Sequence, residues 1–314
     1  MSTPISLDNE SLKSALKYIW SQYRTWAITA RAYKNKVSRW REIVLLLSII
    51  GAIIGTLSQQ LPAWGLIAQS SGWTRGLGLV SGAALGLAAF FSKEIFSPEP
   101  ETKAVRARAA AEAFKSQAYL LATGAPPYDA ITTPEELFAK PERVTKAVEN
   151  LAPLSITEEQ KIERLPSVPM PVDEYVKQRV DDQINFYSLH ASANAKKLAT
   201  SRGLSLALGA VAVVLGILAT TYASVATWVA VISTITAAIA ARQYAGRYQF
   251  MIISYRAAGE KLEALKARWE VERNIQRGSA TDYKFVVACE EVISAENSAW
   301  MAEWSHKESQ KAPS

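Results

Sequence analysis

Cysteine and histidine are almost missing from this chain of 314 residues: Cys289 stands alone, and the two histidines are His190 and His306. A single cysteine excludes a disulfide within the chain and fits a reducing, cytoplasmic setting. So few sulfur and imidazole ligands exclude the usual zinc sets. Neither a P-loop nor a G-x-G-x-x-G pattern occurs. The neighbouring carboxylates Asp181-Asp182 and Glu290-Glu291 lie side by side on helices, point apart, and read as solvated faces. Enzyme chemistry is therefore not expected, nor is any cofactor or metal. The polar, charged start predicts no cleaved leader.

The second absence is local. Overall the chain is 49% apolar and 20% charged. Yet Asp, Glu, Lys and Arg are missing from Ile43 to Thr74, from Gly76 to Ser92 and from Gly203 to Ala241. A bilayer needs about 20 apolar residues per helix, more than most buried soluble helices supply. Four transmembrane helices are predicted, over residues 43–61, 76–92, 203–222 and 225–241. Pro62 and Gly65 are expected to break the first.

Basic residues set the orientation. Arg31, Lys34, Lys36, Arg39 and Arg41 precede the first span, and Lys93, Lys103, Arg106 and Arg108 follow the second. Lys196, Lys197 and Arg202 precede the third, and Arg242 and Arg247 follow the fourth. Only Arg75 lies between the first two spans, and no charge lies between the last two. The reading is a multi-pass protein of the cell (inner) membrane with both termini cytoplasmic. The sequence pI of 9.2 then reflects anionic lipid rather than nucleic acid.

The order helix, span, outer turn, span, helix occurs twice. Arg108-Ala109-Ala110-Ala111-Glu112 matches Arg256-Ala257-Ala258-Gly259-Glu260, with Phe114 and Leu262 in register. Gly55-Thr56-Leu57 aligns with Gly216-Ile217-Leu218. The domains expected are a first repeat over 1–123, a proline-rich cytoplasmic linker over 124–171, a second repeat over 172–280, and a C-terminal helix and tail over 281–314. Both copies start and end on one side, so the repeat is parallel. Inverted repeats mark many alternating-access transporters, and none is seen. The fold class is an all-α membrane protein, with two parallel-repeat hairpins and long cytoplasmic helices forming a bundle.

Those helices carry apolar stripes. Leu12, Leu16, Ile19, Tyr23, Trp26, Ala30, Tyr33, Val37 and Trp40 alternate steps of four and three, a coiled-coil seam. Val176, Val180, Ile184, Tyr187, Ala191 and Leu198 form a weaker one. Tyr248, Ile252, Tyr255, Gly259, Leu262, Leu265 or Lys266, and Trp269 form a third, making Val225 to Arg277 one expected rod of about 80 Å. Such stripes either close one intramolecular bundle, the favoured reading, or join subunits. The linker is expected to hold a helix near Glu135–Glu149 capped by Thr133. Another helix covers Tyr283–Trp304, and a disordered polar tip follows.

Helices in lipid pack through small residues. Gly51, Gly55, Gly78, Gly82, Gly86 and Gly216 are the helix-packing candidates. No ionisable residue lies within a span, which argues against pumping. Hydroxyls remain, each able to bond the preceding turn. As a group, Thr227, Ser233 and Thr234 are candidate pore-lining residues.

Tyr23 and Tyr33 leading to Arg39-Trp40-Arg41, then a span with Gly51 and Gly55, resemble the start of the bacterial SLATT family. So does Tyr255-Arg256-Ala257-Ala258-Gly259-Glu260-Lys261-Leu262. Cys289-Glu290-Glu291 followed by Glu296 and Trp300 is similar to that family's cytoplasmic end. The resemblance implies a tandem pair of two-span effector domains of nucleotide-triggered conflict systems. With no nucleotide-binding domain in sight, the trigger, protein or nucleotide, is expected from another chain. The expected function is an oligomeric pore or ion channel regulated from its cytoplasmic bundle, a homo-oligomer in the lipid bilayer. The alternative is a non-conducting scaffold that recruits cytoplasmic partners.

Overall fold

The computed structural model describes residues 8–69, 71–95, 98–275 and 279–309. The helices are α1 (Asn9–Ala63), α2 (Gly72–Ile95), α3 (Pro98–Thr123), α4 (Pro134–Ala147), α5 (Glu158–Ile162), α6 (Val172–Tyr175), α7 (Asp182–Ala219), α8 (Ala226–Gly246), α9 (Tyr248–Ile275) and α10 (Ser279–Ser309). A π-turn, Val176–Asp181, joins α6 to α7, and a 3₁₀ turn, Ala223–Val225, precedes α8. No strand occurs among the described residues. Four helical stretches are long and apolar enough to cross a membrane: Asn9–Ala63, Gly72–Ser92, Val172–Ala219 and Ala223–Ile275.

The chain divides into two units. Unit 1 comprises Met1–Asn35, Pro98–Ala191 and Ile253–Ser314. Its core is dense and aromatic. Leu16, Ile19, Trp20 and Trp26 of α1, Phe114 and Tyr119 of α3, Tyr175, Val180 and Tyr187, Tyr255, Leu262 and Trp269 of α9, and Phe285, Val286 and Ile293 of α10 are all buried. The α1 stripe is thus covered inside the chain at Leu16, Ile19, Trp26 and Ala30, which is how an amphipathic helix gains most of its stability.

The proline-rich segment is more than a linker. Leu137, Val148, Leu151 and Met170 are buried. Helix α4 starts as its sequence predicts, with the Thr133 side chain accepting from the Glu136 amide. Further on, the backbone is tied to α1: Trp20 Nε1 donates to the Glu163 carbonyl at 3.0 Å and Arg24 Nε to that of Gln160 at 2.9 Å. Tyr33 Oη donates to the Ala152 carbonyl at 2.9 Å, and the Leu154 amide donates to Thr29 Oγ1 at 2.9 Å. Each bond satisfies backbone that a loose loop would leave to water.

Unit 2 comprises Lys36–Ser97 and Ser192–Ile252. Here α1 continues through Pro62 to Ala63. The chain turns only at Gly65, where a φ of +73° suits a residue without Cβ. The single rod expected from Val225 to Arg277 is broken. Helix α8 ends at Gly246, Arg247 is left-handed at φ 45°, and α9 starts afresh at Tyr248. The Tyr248 ring folds back over Gly246, where a Cβ would lie 2.6 Å from Cζ. Arg277 and the tip beyond Ser309 lie outside the described residues.

Candidate functional site

Within unit 2 the small residues divide into two sets. A Cβ on Gly51 would meet Leu85 Cγ at 2.8 Å and Ala84 Cβ at 3.3 Å, and one on Gly55 would meet Ser81 Oγ at 2.6 Å. Helices α1 and α2 therefore touch backbone to side chain. Ser81 Oγ donates to the Gly51 carbonyl at 2.7 Å across that contact. Gly78, Gly82, Gly86 and Gly216 have no atom within 4 Å of such a Cβ. They lie on exposed faces of α2 and α7.

The three hydroxyls also separate. Thr227 Oγ1 donates to the Ser224 carbonyl at 2.8 Å, and Gln60 Nε2 donates to Thr227 Oγ1 and, at 2.9 Å, to the Ser224 carbonyl. Gln60 itself is buried, so Thr227 belongs to a polar tie between α1 and the start of α8. Ser233 and Thr234 are exposed, with Thr234 Oγ1 bonded back to the Ala230 carbonyl at 2.9 Å. Thr227 and Thr234, one stripe by sequence, thus meet different surroundings.

The most concentrated chemistry lies in unit 1 and was not foreseen. Arg179, on the π-turn, is fully buried. Its Nε and Nη2 each bond one oxygen of Glu290, both at 2.9 Å. Nη1 reaches Glu112 Oε2 at 3.4 Å. Tyr175 Oη donates to Glu290 Oε1 at 3.0 Å, and the guanidinium lies over the Tyr119 ring, 5.3 Å from its centroid. A forked, two-bond pairing is the strongest geometry for these groups, and the ring face adds attraction. Glu290 is buried, which corrects its reading as part of a solvated face. By contrast Asp181, which pairs with Lys266 Nζ at 2.7 Å, keeps 43% of its side chain exposed.

The electrostatics follow the geometry. Burial alone would lower the Arg179 pKa, but the Glu290 carboxylate holds it well above the ordinary arginine value. Burial and the same carboxylate raise Tyr175. Burial would raise Glu112, yet Lys115, Arg179 and Arg108 bring it below the usual carboxylate range. Burial followed by Glu290 pushes the Cys289 thiol up, so this buried cysteine stays protonated and unreactive. Arg108 Nη1 bonds Tyr255 Oη at 3.4 Å, linking the cluster to the ring stack of Tyr255 on Tyr187, 5.6 Å apart. These groups bind one another and orient four chain segments; they present no open nucleophile.

Sequence spacing held the signal for both missed residues. Glu290 lies four residues after Val286 and three before Ile293, and Arg179 four after Tyr175 and four before Gln183, all buried. Both occupy core positions of their stripes.

Comparison with known proteins gives two matches. Residues 24–136 match the family described as Protein of unknown function (DUF4231). Residues 175–300 match SMODS and SLOG-associating 2TM effector domain 1. Nothing among curated proteins or solved structures matches the chain. The second match runs from Tyr175 at the ion cluster through both apolar segments of α7 and α8 and on into α10. The two matches are consistent with a SLATT-type two-domain arrangement, in which residues 175–300 are similar to a 2TM effector domain.

Proposed function

We propose that the chain inserts through its four apolar segments and assembles as an oligomeric membrane pore or channel, an effector governed by unit 1 on the cytoplasmic side. The observation that carries this reading is the surface of the apolar helices. Their most apolar windows bury only 17, 11, 0 and 6% of their residues, whereas a soluble core would bury most. That surface includes the Gly78, Gly82, Gly86 ridge, which suits close approach of another copy. It also includes Ser233 and Thr234, which could face water where copies meet. The membrane effector role comes from the family named for the C-terminal domain; a trigger from another chain suits a domain described as associating with others.

Orientation is tested by thiol labelling of intact cells. Cysteines placed at Ser71 and Ser224 should label from outside, and one at Ser14 only after permeabilisation. Conduction is tested by ion flux from vesicles holding the purified protein. Thr234→Val and Ser233→Ala should reduce flux at unchanged assembly, because an apolar constriction dewets. Thr227→Val should instead loosen the Gln60 tie and lower stability. Vesicles that remain tight with every trigger tried would favour a scaffold.

A further inference from the structure

We infer that the π-turn at Val176–Asp181 is a register latch on α7, held by the Arg179 fork on Glu290 and released when α10 moves away. The inference deepens the reading of unit 1 as a regulator. Three observations carry it. First, the turn is an interruption in an otherwise continuous helix from Val172 to Ala219. A π-turn closes its bonds one residue later than an α-turn, so it stores one extra residue, and such turns gather at functional positions. Secondly, the stored residue is pinned from outside its own helix. Arg179 takes both oxygens of Glu290 from α10 and one of Glu112 from α3. Thirdly, the pinning is ionic at a fully buried site. Apolar residues of similar volume often serve stability as well or better there, and buried ion pairs are best attested where they fix a register or a switch.

The mechanical consequence follows from helix geometry. Each residue of an α-helix turns the chain by about 100° and advances it about 1.5 Å. If the turn relaxes to α-helix while Tyr175 stays in place, the helix beyond it must rotate by one residue. Every position on α7 then passes to the residue before it. In the latched form Tyr187 faces α9: a Cβ on Gly259 lies 3.6 Å from Tyr187 Cβ. After release Phe186 would occupy that place. Displacement of α10 is the input, and a turned α7, whose apolar stretch carries Gly216, is the output.

The test reads register directly and needs no flux, so it stands apart from the pore assignment. Three double variants place a cysteine at Phe186, Tyr187 or Ser188 opposite Gly259→Cys. The 3.6 Å separation suits a disulfide. In the otherwise native protein the Tyr187→Cys pair should close fastest. Adding Arg179→Gln should transfer the preference to Phe186→Cys and lose the Tyr187→Cys bridge. Arg179→Met with Glu290→Met leaves no unpaired buried charge and should do the same in a chain of native helicity. Deleting Gln178 removes the stored residue, so Tyr187→Cys should remain preferred even with Arg179→Met and Glu290→Met. Tyr187→Cys remaining the fastest partner in the folded Met pair with Gln178 present would overturn the latch, as would a preference passing to Ser188→Cys. A transferred register with tight vesicles would keep the latch and sink the pore.

Discussion

The chain carries one short motif twice, Arg-Ala-Ala-Ala-Glu at Arg108–Glu112 and Arg-Ala-Ala-Gly-Glu at Arg256–Glu260, and buries the same two small positions in each while using the charges differently. In α3 the charged ends are half-buried and partnered. Arg108 bonds Tyr255 Oη and Glu112 meets Arg179. In α9 Ala258 and Gly259 are buried, as Ala110 and Ala111 are in α3, but Arg256 and Glu260 are exposed. The two copies share close packing through the same two small positions. They do not share the use of their charges. Likeness of sequence between the two motifs here reports helix packing; the electrostatic role depends on what the rest of the chain sets opposite.

The largest expected contrast is between arginines. Arg179→Ala strands Glu290 in the core and should cost about 3–5 kcal/mol, read as thermal unfolding in detergent. Arg256→Ala on the exposed face should leave the melting temperature where it was. Equal losses would mean that the exposed copy also holds the fold.

Next comes the glycine contrast in unit 2. Gly55→Ile forces Ser81 aside and should cost about 1–3 kcal/mol or more through overpacking. A Cβ on Gly82 meets no atom within 4 Å, so Gly82→Ile should spare the monomer fold and reduce assembly, measured as particle mass in detergent. A Gly82→Ile protein that assembles normally would leave that ridge facing lipid alone.

A smaller difference separates the motif carboxylates. Glu112→Gln weakens one charge-assisted bond to Arg179 and should cost about 1 kcal/mol. Because neighbouring cations hold Glu112 below the usual carboxylate range, its contribution is complete above the unfolded carboxylate pKa. It disappears as pH falls through the lower folded value. The acid limb of stability should therefore flatten in Glu112→Gln, as pH-dependent melting will tell. Smallest of all is the expected signal from Cys289. Its buried thiol should resist maleimide in the folded protein and react only after denaturation.

Much of this architecture is legible in the sequence because charge exclusion over bilayer length is a one-dimensional signal. The four apolar segments stand out by what Ile43–Thr74, Gly76–Ser92 and Gly203–Ala241 omit. The capped α4 reads equally well, since Thr133 and Glu136 are local partners. What hid was long-range. Arg179 and Glu290 are separated by 111 residues, and each alone looks like an ordinary surface charge until the other is seen opposite. The π-turn hid for another reason: one extra residue changes a stripe by less than the scatter of its spacing. The break at Arg247 depends on where the Tyr248 ring folds, which no periodicity records. Among the hydroxyls, Thr227 and Thr234 share a stripe by arithmetic, but Gln60 enters from α1 and claims only the first.

The proline-rich strap has a practical corollary. Its anchors on α1 fall on both sides of Ser155: Ala152 and Leu154 before it, Gln160 and Glu163 after it. The peptide bonds between them carry little of the fold. Two separately expressed polypeptides, 1–155 and 156–314, should find each other and copurify, joined by the Gln160 and Glu163 anchors on α1 and by the Arg179 bond to Glu112. A protease nick there would then be silent, and the protein could be handled, labelled and reconstituted as a two-piece assembly.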